Sequence, residues 1–311
     1  MPKNSGHIGA AVFLFFIFCL FTFPLSAQKI YHNSLGILTE NDSYLLRGKD
    51  GYYTNGLVLS YSWTNKDSNT TTIRSVEIGQ RMYNAKNGSY QELYKIDRPV
   101  TAYLFGRYGQ TQFSHQNVLD WKIGIGTIGP NAFGQQVQQF IHRTLGMYEP
   151  EEWQFQLKNA FSVDASMLYA PQIREDRPIF NVYPVVSSNI GMTFTNIKMG
   201  GFVTIGRKNI NSKSALWNAQ LNRTGNAVSE SFFYVRPFLT YNIYNATVQG
   251  SLFGKDEHAG VLNRLLFMPK VGWKYCYNRF SLDLGIDYSS REAKEQLKSQ
   301  WYGSVRLGWS W

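Results

Sequence analysis

The sequence predicts an all-β protein: a transmembrane, antiparallel, up-and-down β-barrel of about 12 strands, with one short helix in an extracellular loop. Three observations support this fold class. Apolar and polar residues alternate in many short runs, as expected for strands whose two faces meet different surroundings. Aromatic residues make up 16% of the 311 residues, including 20 Tyr and 8 Trp, which suits the aromatic girdles of a membrane barrel. The chain also ends on Trp311, inside an alternating run.

The first 27 residues have the pattern of a secretory signal peptide. A short basic start precedes an apolar run at 8–24, and the small residue Ala27 follows it. Cleavage after Ala27 would leave residues 28–311 as one domain, since we find no linker, internal repeat or composition break. The alternative is a membrane anchor, because the apolar run approaches spanning length.

The chain downstream of residue 27 contains 12 or 13 segments with strand periodicity. At 280–288, for example, Phe, Leu, Leu, Ile and Tyr alternate with Ser, Asp, Gly and Asp, over a length that crosses a bilayer as a tilted strand. A single-chain bacterial barrel usually has an even number of strands. We therefore merge the segments on either side of Asn245 into one long strand. No downstream segment approaches 18 consecutive apolar residues, which excludes helical membrane spans there.

The C-terminal segment supports a closed barrel. Large apolar residues occupy one face of 301–311, and the other face carries small or polar residues. A strand that closes a barrel must be ordered to its end, because an open edge in lipid leaves backbone groups unpaired. Small residues on the polar faces of the strands favour a narrow, filled lumen. A periplasmic β-sandwich and a soluble barrel are the alternatives, and the parity of the large aromatic residues argues against both.

Charge and cysteine usage limit the partners and the covalent chemistry. The net charge is +10, which favours an anionic membrane surface or an anionic substrate. Export argues against a nucleic-acid partner. Cys19 lies in the predicted signal peptide, so Cys276 would be alone in the mature chain. An intrachain disulfide is thereby excluded.

One segment departs from strand periodicity. Residues 129–146, GPNAFGQQVQQFIHRTLG, carry apolar side chains at every fourth position from 133 to 145, which predicts a helix. Gln138 and His142 are four residues apart and lie on one face of it. Histidine can accept a proton near neutral pH, so His142 is a candidate general base. The alternative is that it is an ordinary polar residue, as most lone histidines on helices are.

Two short motifs near the first strands offer oxygen ligands. LTENDSY at 38–44 contains Asn41 and Asp42, and DGYYTNG at 50–56 contains Thr54. Carboxylate, amide and hydroxyl oxygens are the donors that Ca²⁺ prefers. Asn-Asp and Asn-Gly pairs are also common turn sequences, so ordinary turns are the alternative for both motifs.

A third motif, IDRPVTAY at 96–103, places a cation in a loop before a strand. Arg98, assisted by Lys86, could contact a phosphate, and a solvated charge pair is the alternative. Of the signatures of other hydrolases, GxSxG and HExxH do not occur in the sequence, and SxxK occurs only at 26–29, across the predicted cleavage site. A serine nucleophile outside such motifs stays open.

On these motifs the chain resembles the LpxR family, the outer-membrane lipid A 3′-O-deacylases. The resemblance rests on four stretches and is sharp up to about residue 160. They are Glu40-Asn41-Asp42, Tyr53-Thr54-Asn55-Gly56, Asp97-Arg98, and the block IGPNAFGQQVQQFIHRTLG continuing through Pro150 to Trp153-Gln154-Phe155-Gln156.

The resemblance implies a twelve-stranded barrel in the outer membrane of a Gram-negative bacterium, with the helix beside a Ca²⁺-dependent active site. His142 would activate water, with Gln138 one turn before it, and the site would act on lipid A of lipopolysaccharide among outer-membrane lipids. Asn41, Asp42 and Thr54 would surround the Ca²⁺. We expect a monomer.

The chain departs from the family pattern at one position. Where some members carry an acidic residue six positions after the histidine, this chain has Tyr148, and Glu149 next to it is the candidate replacement in the substrate site. Arg98 and Lys86 are the candidate contacts to a lipid A phosphate.

Two other functions stay open from sequence. A Ser/His-type outer-membrane phospholipase would react with a serine-directed probe without Ca²⁺. A non-enzymatic barrel, structural or a small pore, would be indifferent to His142→Ala.

Overall fold

The computed structural model describes residues 31–45, 51–65, 72–115, 117–173, 179–221 and 229–311. The predicted signal peptide, residues 1–27, lies outside these ranges. Within them, no helix has the length and apolar content needed to cross a membrane.

Within the described ranges the chain forms one large antiparallel sheet of fourteen strands. They are β1 (Asn33–Asn41), β2 (Tyr53–Trp63), β3 (Thr72–Tyr83), β4 (Thr101–Ser114), β5 (Asn117–Ile128), β6 (Ala160–Ala170), β7 (Phe180–Gly191), β8 (Phe194–Arg207), β9 (Glu230–Arg236), β10 (Phe238–Asn245), β11 (Leu265–Phe267), β12 (Lys270–Tyr277), β13 (Phe280–Ser289) and β14 (Gln300–Ser310).

The sheet closes into a barrel of 12 strands. β1 pairs with β14 from Ser34 opposite Ser310 to Asn41 opposite Gly303. β9 and β10 both pair with β8 and act as one barrel strand, divided at Pro237, because proline cannot donate to the ladder. β11 and β12 likewise continue each other along β10 and β9. The predicted fold class is therefore confirmed.

The predicted merger across Asn245 was wrong. The strand ends at Asn245, whose side chain accepts a hydrogen bond of 2.9 Å from the backbone N–H of Thr247. This contact caps a short helix, α2 (Ala246–Gln249), as Asn does at helix starts. The barrel has 12 strands because residues 246–254 form no strand of their own. They do not extend the strand before them, as the merger assumed.

The two faces of the wall have opposite character. On β2, Leu57, Leu59 and Tyr61 point outward and are exposed. The lumen holds ion pairs between strands, such as Lys122 with Glu77 at 2.7 Å. An apolar exterior around a polar interior is the pattern of a barrel surrounded by lipid.

The lumen is filled at the end that carries the described N-terminal residues and the C-terminus. Residues 208–221, which follow β8, fold inward there, so that Leu216, Ala219 and Leu221 join a buried cluster with aromatic residues of the wall. Lys274 Nζ donates to the backbone oxygen of Ala215 at 2.9 Å. The narrow, filled lumen that the small residues favoured is thus present among the described residues.

Five connections lie at the opposite end of the barrel. Those after β1, β3, β5, β10 and β13 emerge together there, and the one after β5 contains helix α1 (Gly134–Leu145). The helix ends where Gly146 adopts a φ of 68° and its N–H donates to the Arg143 carbonyl, a glycine cap. The predicted helix at 129–146 is confirmed.

Candidate active site

Helix α1 packs on the outside of the barrel wall. Met82 of β3, Ala102 of β4 and Trp153 form a buried cluster against which Val137 of the helix packs. A Cβ at Gly134 would overlap Trp153 and Ala102, so glycine permits the close approach. Because neighbouring Tyr103 turns into the lumen and reaches Asp164 at 3.1 Å, Ala102 lies on the outer face.

Apart from Gly134, the buried residues of the helix are the polar Gln138 and His142. Gln138 is 4% exposed and His142 is 3% exposed, whereas Phe133 and Leu145 are more than half exposed. In a water-soluble protein the apolar stripe of a helix faces the core. The inversion here places Gln138 and His142 between the helix and the wall.

His142 is held by a backbone carbonyl. Its Nδ1 lies 2.6 Å from the oxygen of Tyr148, and the Tyr148 ring meets the imidazole edge-on at 4.7 Å between centroids. A carbonyl only accepts hydrogen bonds, so Nδ1 carries the proton, and in the neutral ring the lone pair is on Nε2. This tautomer has the form that a general base requires.

Gln138 connects the helix to β2 and β3. Its Oε1 accepts from Trp153 Nε1 at 2.7 Å and from Asn84 Nδ2 at 3.1 Å. Asn84, directly after β3, accepts in turn from Thr54 Oγ1 at 2.6 Å. The chain of contacts fixes the Gln138 amide, with its nitrogen on the side away from these donors.

A buried carboxylate completes this network. Glu152 accepts from the side-chain nitrogen of Asn84 and from the backbone N–H of Ala85, the latter at 3.0 Å. Its side chain is fully buried, unlike those of Glu149 and Glu151. Sequence reasoning missed the roles of Asn84 and Glu152, and only their position between the family-like motifs could have pointed to them.

We expect Asn84→Ala to loosen α1 without opening the barrel. The substitution removes one hydrogen-bond partner from each of the buried groups of Thr54, Gln138 and Glu152, at a cost of about 1–3 kcal/mol. Hydrogen exchange within 134–145 should accelerate by about 10- to 100-fold, at about 1.4 kcal/mol per factor of ten. In the control Asn189→Ala, which removes the amide pair with Asn196 across β7 and β8, α1 should keep its exchange rate. Unchanged exchange in Asn84→Ala would contradict this network.

A β-bulge directs the Thr54 side chain towards Asn84 and the hydrogen-bond network of Gln138 and Glu152. The register of β2 against β3 shifts between Tyr53 and Asn55, so Thr54 is an extra residue. Tyr53 therefore turns into the lumen and donates to Glu40 at 2.6 Å, whereas Thr54 reaches Asn84. Bulges commonly redirect side chains in this way.

The three predicted calcium ligands lie at neighbouring strand ends. Asn41 pairs with Asn55 across β1 and β2, next to Thr54, and Asp42 follows β1 directly. Asn41 Oδ1 accepts from Ser43 N at 2.7 Å, and Asp42 Oδ2 accepts from Gly51 N at 2.8 Å. These contacts fix the orientation of the two side chains.

The chemistry of this donor set fits Ca²⁺. One carboxylate, one amide oxygen and one hydroxyl are hard oxygen donors, which suit Ca²⁺ and not metals that prefer nitrogen or sulfur. Over the residues that the structure describes, no cluster of three or more His, Cys, Asp and Glu could hold a metal. A site here would therefore depend on neutral oxygens beside Asp42.

Glu149 lies on the exposed side of the helix. It forms an ion pair of 3.0 Å with Arg143, and both side chains are more than half exposed. The contact at Nδ1 of His142 comes from the Tyr148 carbonyl. At the position where some family members carry an acidic side chain, the backbone carbonyl of Tyr148 therefore orients the His142 ring.

Arg98 does not lie where a lipid phosphate could reach it. Its side chain is fully buried and pairs with Glu292 at 2.7 Å. It also donates to Thr247 Oγ1 at 3.1 Å and stacks on the Tyr83 ring at 4.4 Å. The prediction that Arg98 contacts a phosphate was therefore wrong. Arg98 instead links the connections that follow β3, β10 and β13.

We expect Arg98→Ala to act on stability. Removing one partner of a buried ion pair costs about 3–5 kcal/mol, so urea unfolding in lipid vesicles should shift markedly. The matched control Arg143→Ala removes the exposed pair with Glu149, worth about 0–1 kcal/mol. A phosphate-binding role would give the opposite pattern: unaltered stability of Arg98→Ala and a raised KM for lipid A.

Asp97 organises the same end of the barrel. It accepts from the Tyr52 hydroxyl at 2.7 Å and from the backbone N–H groups of Lys86 and Leu297 at 2.9 and 3.1 Å. Burial, followed by the nearby Asp97 carboxylate, raises the pKa of Tyr52, so its phenol keeps its proton. The Lys86 side chain is half-buried and stays a candidate phosphate contact.

Comparison with known proteins places this geometry in a family. The model of the family described as "Outer membrane protein LpxR" matches residues 14–311. A comparison with curated proteins found no match. Among solved structures, LpxR from Salmonella typhimurium is similar with a TM-score of 0.76 and 23% identity, covering 89% of this chain and 100% of that chain.

A second solved structure is more distant. The β domain of the Bordetella autotransporter BrkA has a TM-score of 0.47 and 9% identity, covering 91% of this chain and all of that one. The family match over nearly the whole sequence decides the assignment. The chain belongs to the LpxR family and is a protein of the outer membrane.

Proposed function

We propose that this protein hydrolyses the 3′-position acyl ester of lipid A in the outer leaflet of the outer membrane, with Ca²⁺ as cofactor. Membership of the LpxR family supports an outer-membrane enzyme that modifies lipid A. The single observation that carries the finer proposal is His142, buried against the outer wall with Nδ1 bound to a carbonyl. A base on the lipid-facing side can meet an ester that stays in the membrane.

In this proposal His142 acts as a general base. Nε2 takes a proton from a water molecule as that water attacks the ester carbonyl. The hydrogen bond from Nδ1 to the Tyr148 oxygen stabilises the resulting imidazolium. The proton then passes to the leaving sugar oxygen, so that water and ester become a fatty acid and a free 3′ hydroxyl.

In this proposal Gln138 acts as an oxyanion donor. Trp153 and Asn84 both donate to its Oε1, which orients the amide so that its NH₂ group faces the other way. A fixed donor aimed at the developing negative charge stabilises the transition state without reorganisation. The network that starts at Glu152 thus has a role in positioning Gln138.

Asn41, Asp42 and Thr54 would hold the Ca²⁺ ion. When bound, Ca²⁺ supplies a Lewis acid that polarises the ester carbonyl. Gly51 N and Ser43 N, which donate to Asp42 and Asn41, position these ligands. The substrate is anionic lipopolysaccharide, consistent with the net charge of +10, and Lys86 is the candidate phosphate contact. We keep the expectation that the enzyme acts as a monomer.

Mass spectrometry of lipid A tests this proposal. Purified protein in Ca²⁺ should remove the acyl unit at the 3′ position, and EDTA should prevent its loss. Fragment ions locate the missing chain. Release of acyl chains from phospholipid instead, insensitive to EDTA and blocked by a serine-directed probe, would favour a Ser/His phospholipase.

A further inference from the structure

Helix α1 has an apolar side of which only one edge packs on the barrel. Phe133, immediately before the helix, and Val137, Phe140, Ile141 and Leu145 follow the three- and four-residue spacing of one helical stripe. Val137 and Ile141 are half-buried, and Val137 packs against the buried cluster that contains Met82 and Ala102 of the wall. This stripe lies beside the buried side that carries Gln138 and His142.

The outer part of the stripe is uncovered. Phe133, Phe140 and Leu145 are 55%, 70% and 67% exposed. The polar residues Gln136 and Arg143 are also exposed. They are four and three residues from Phe140, so they border it at the polar edge of the stripe. The helix is therefore amphipathic, yet its largest apolar side chains do not contact a protein core.

The stripe continues the lipid-facing wall. Gln80, on the outer face of β3, donates to the carbonyl of Ala132 at 2.5 Å, just before the helix. Ile78, two residues earlier on the same outer face, is 58% exposed. Ile123 and Ile125 of β5 extend this apolar exterior. The helix thus lies at the upper edge of the surface that faces the acyl chains.

We infer that α1 is an interfacial helix, with Phe133, Phe140 and Leu145 inserted into the acyl-chain layer of the outer leaflet. A helix with a strong apolar side and a polar side lies in the membrane boundary with its apolar side in the lipid. The occupant of the stripe is lipid hydrocarbon, because the stripe is continuous with the wall that already contacts it.

Insertion would also set the height of the catalytic histidine. His142 is within one turn of both Phe140 and Leu145, and Gln138 is within one turn of Phe140. A helix anchored by its apolar side therefore holds both polar residues at the boundary between acyl chains and headgroups. Acyl esters of lipids lie at this level. This consequence rests on the proposed function, whereas the insertion itself does not.

Nitroxide accessibility tests the insertion. The protein would carry one label in each of Phe140→Cys, Leu145→Cys, Gln136→Cys and Arg143→Cys, reconstituted in phosphatidylcholine vesicles. All four positions are exposed, so labelling should preserve the fold, and native Cys276 is buried. We expect labels at 140 and 145 to collide several-fold more with oxygen than with a water-soluble nickel chelate. Labels at 136 and 143 should show the reverse order.

Two results would overturn the inference. Equal access of the nickel chelate to all four labels would mean that the helix stands in water. Shielding of positions 140 and 145 from both reagents, with dipolar broadening between labels, would mean that a second copy of the chain covers the stripe. Neither readout uses hydrolysis, so failure of the insertion can be told apart from failure of the deacylase proposal.

Discussion

His142→Ala should remove most of the hydrolysis of lipid A while the barrel stays folded. General bases contribute about 10²- to 10⁴-fold to a rate, and we expect a loss in that range. His142 is 3% exposed. Its Nδ1 contact to Tyr148 lies outside the barrel wall, so its loss should not unfold the barrel. The measurement is the initial rate of acyl release at saturating Ca²⁺, beside heat-dependent gel mobility as a check of folding.

The matched control is His258→Ala. His258 is half-buried in the connection after β10, where its ring meets Phe155, and nothing in the proposed chemistry uses it. Its loss should leave the rate nearly unchanged. Equal activity of both variants would show that the base is elsewhere, whereas equal loss would show that the effect is not specific to position 142.

The second large effect is expected from Asp42. Asp42→Asn keeps the shape and removes the only carboxylate among the three proposed ligands, so Ca²⁺ binding should weaken severely. Activity should fall by about 10²-fold or more at a Ca²⁺ concentration that saturates the unaltered protein, because the Lewis acid contributes several kcal/mol to the transition state. EDTA should abolish activity of the unaltered protein, and added Ca²⁺ should restore it.

Asp120→Asn is the control for this charge change. Asp120 lies on β5 and accepts from Thr111 Oγ1 at 2.7 Å, far along the strand from the connections that hold the site. Its Ca²⁺ requirement should match that of the unaltered protein. If Asp42→Asn also kept the normal Ca²⁺ requirement, the proposed ligand set would be incorrect.

Sequence patterns predicted the wall of the barrel well, because membrane strands must alternate along their whole length. Leu57, Leu59 and Tyr61 show this on β2. The same rule fails at Thr54, where one extra residue shifts the parity and no local signal announces the bulge. The segment after Asn245 failed for a related reason, since its capping contact with Thr247 was not visible as a break in periodicity.

The sequence predicted several residues of the candidate site, but it did not predict which of them are buried or which partners they contact. The four-residue spacing predicted α1 correctly, but periodicity does not say which side of a helix is buried, and lipid reverses the usual choice. Arg98 was misassigned because its partners, Thr247 and Glu292, are 149 and 194 residues away in sequence. Glu152 could not be told from its exposed neighbours for the same reason: burial depends on distant contacts.

The most direct measurement of the central claim is a crystal structure of the protein grown with Ca²⁺, with the ion located by its anomalous signal. The proposal predicts an ion bound by oxygens of Asn41, Asp42 and Thr54 at about 2.3–2.6 Å. Nε2 of His142 should face the ion across a gap wide enough for one ester. An ion bound elsewhere, or an imidazole directed away from these ligands in an active protein, would contradict it.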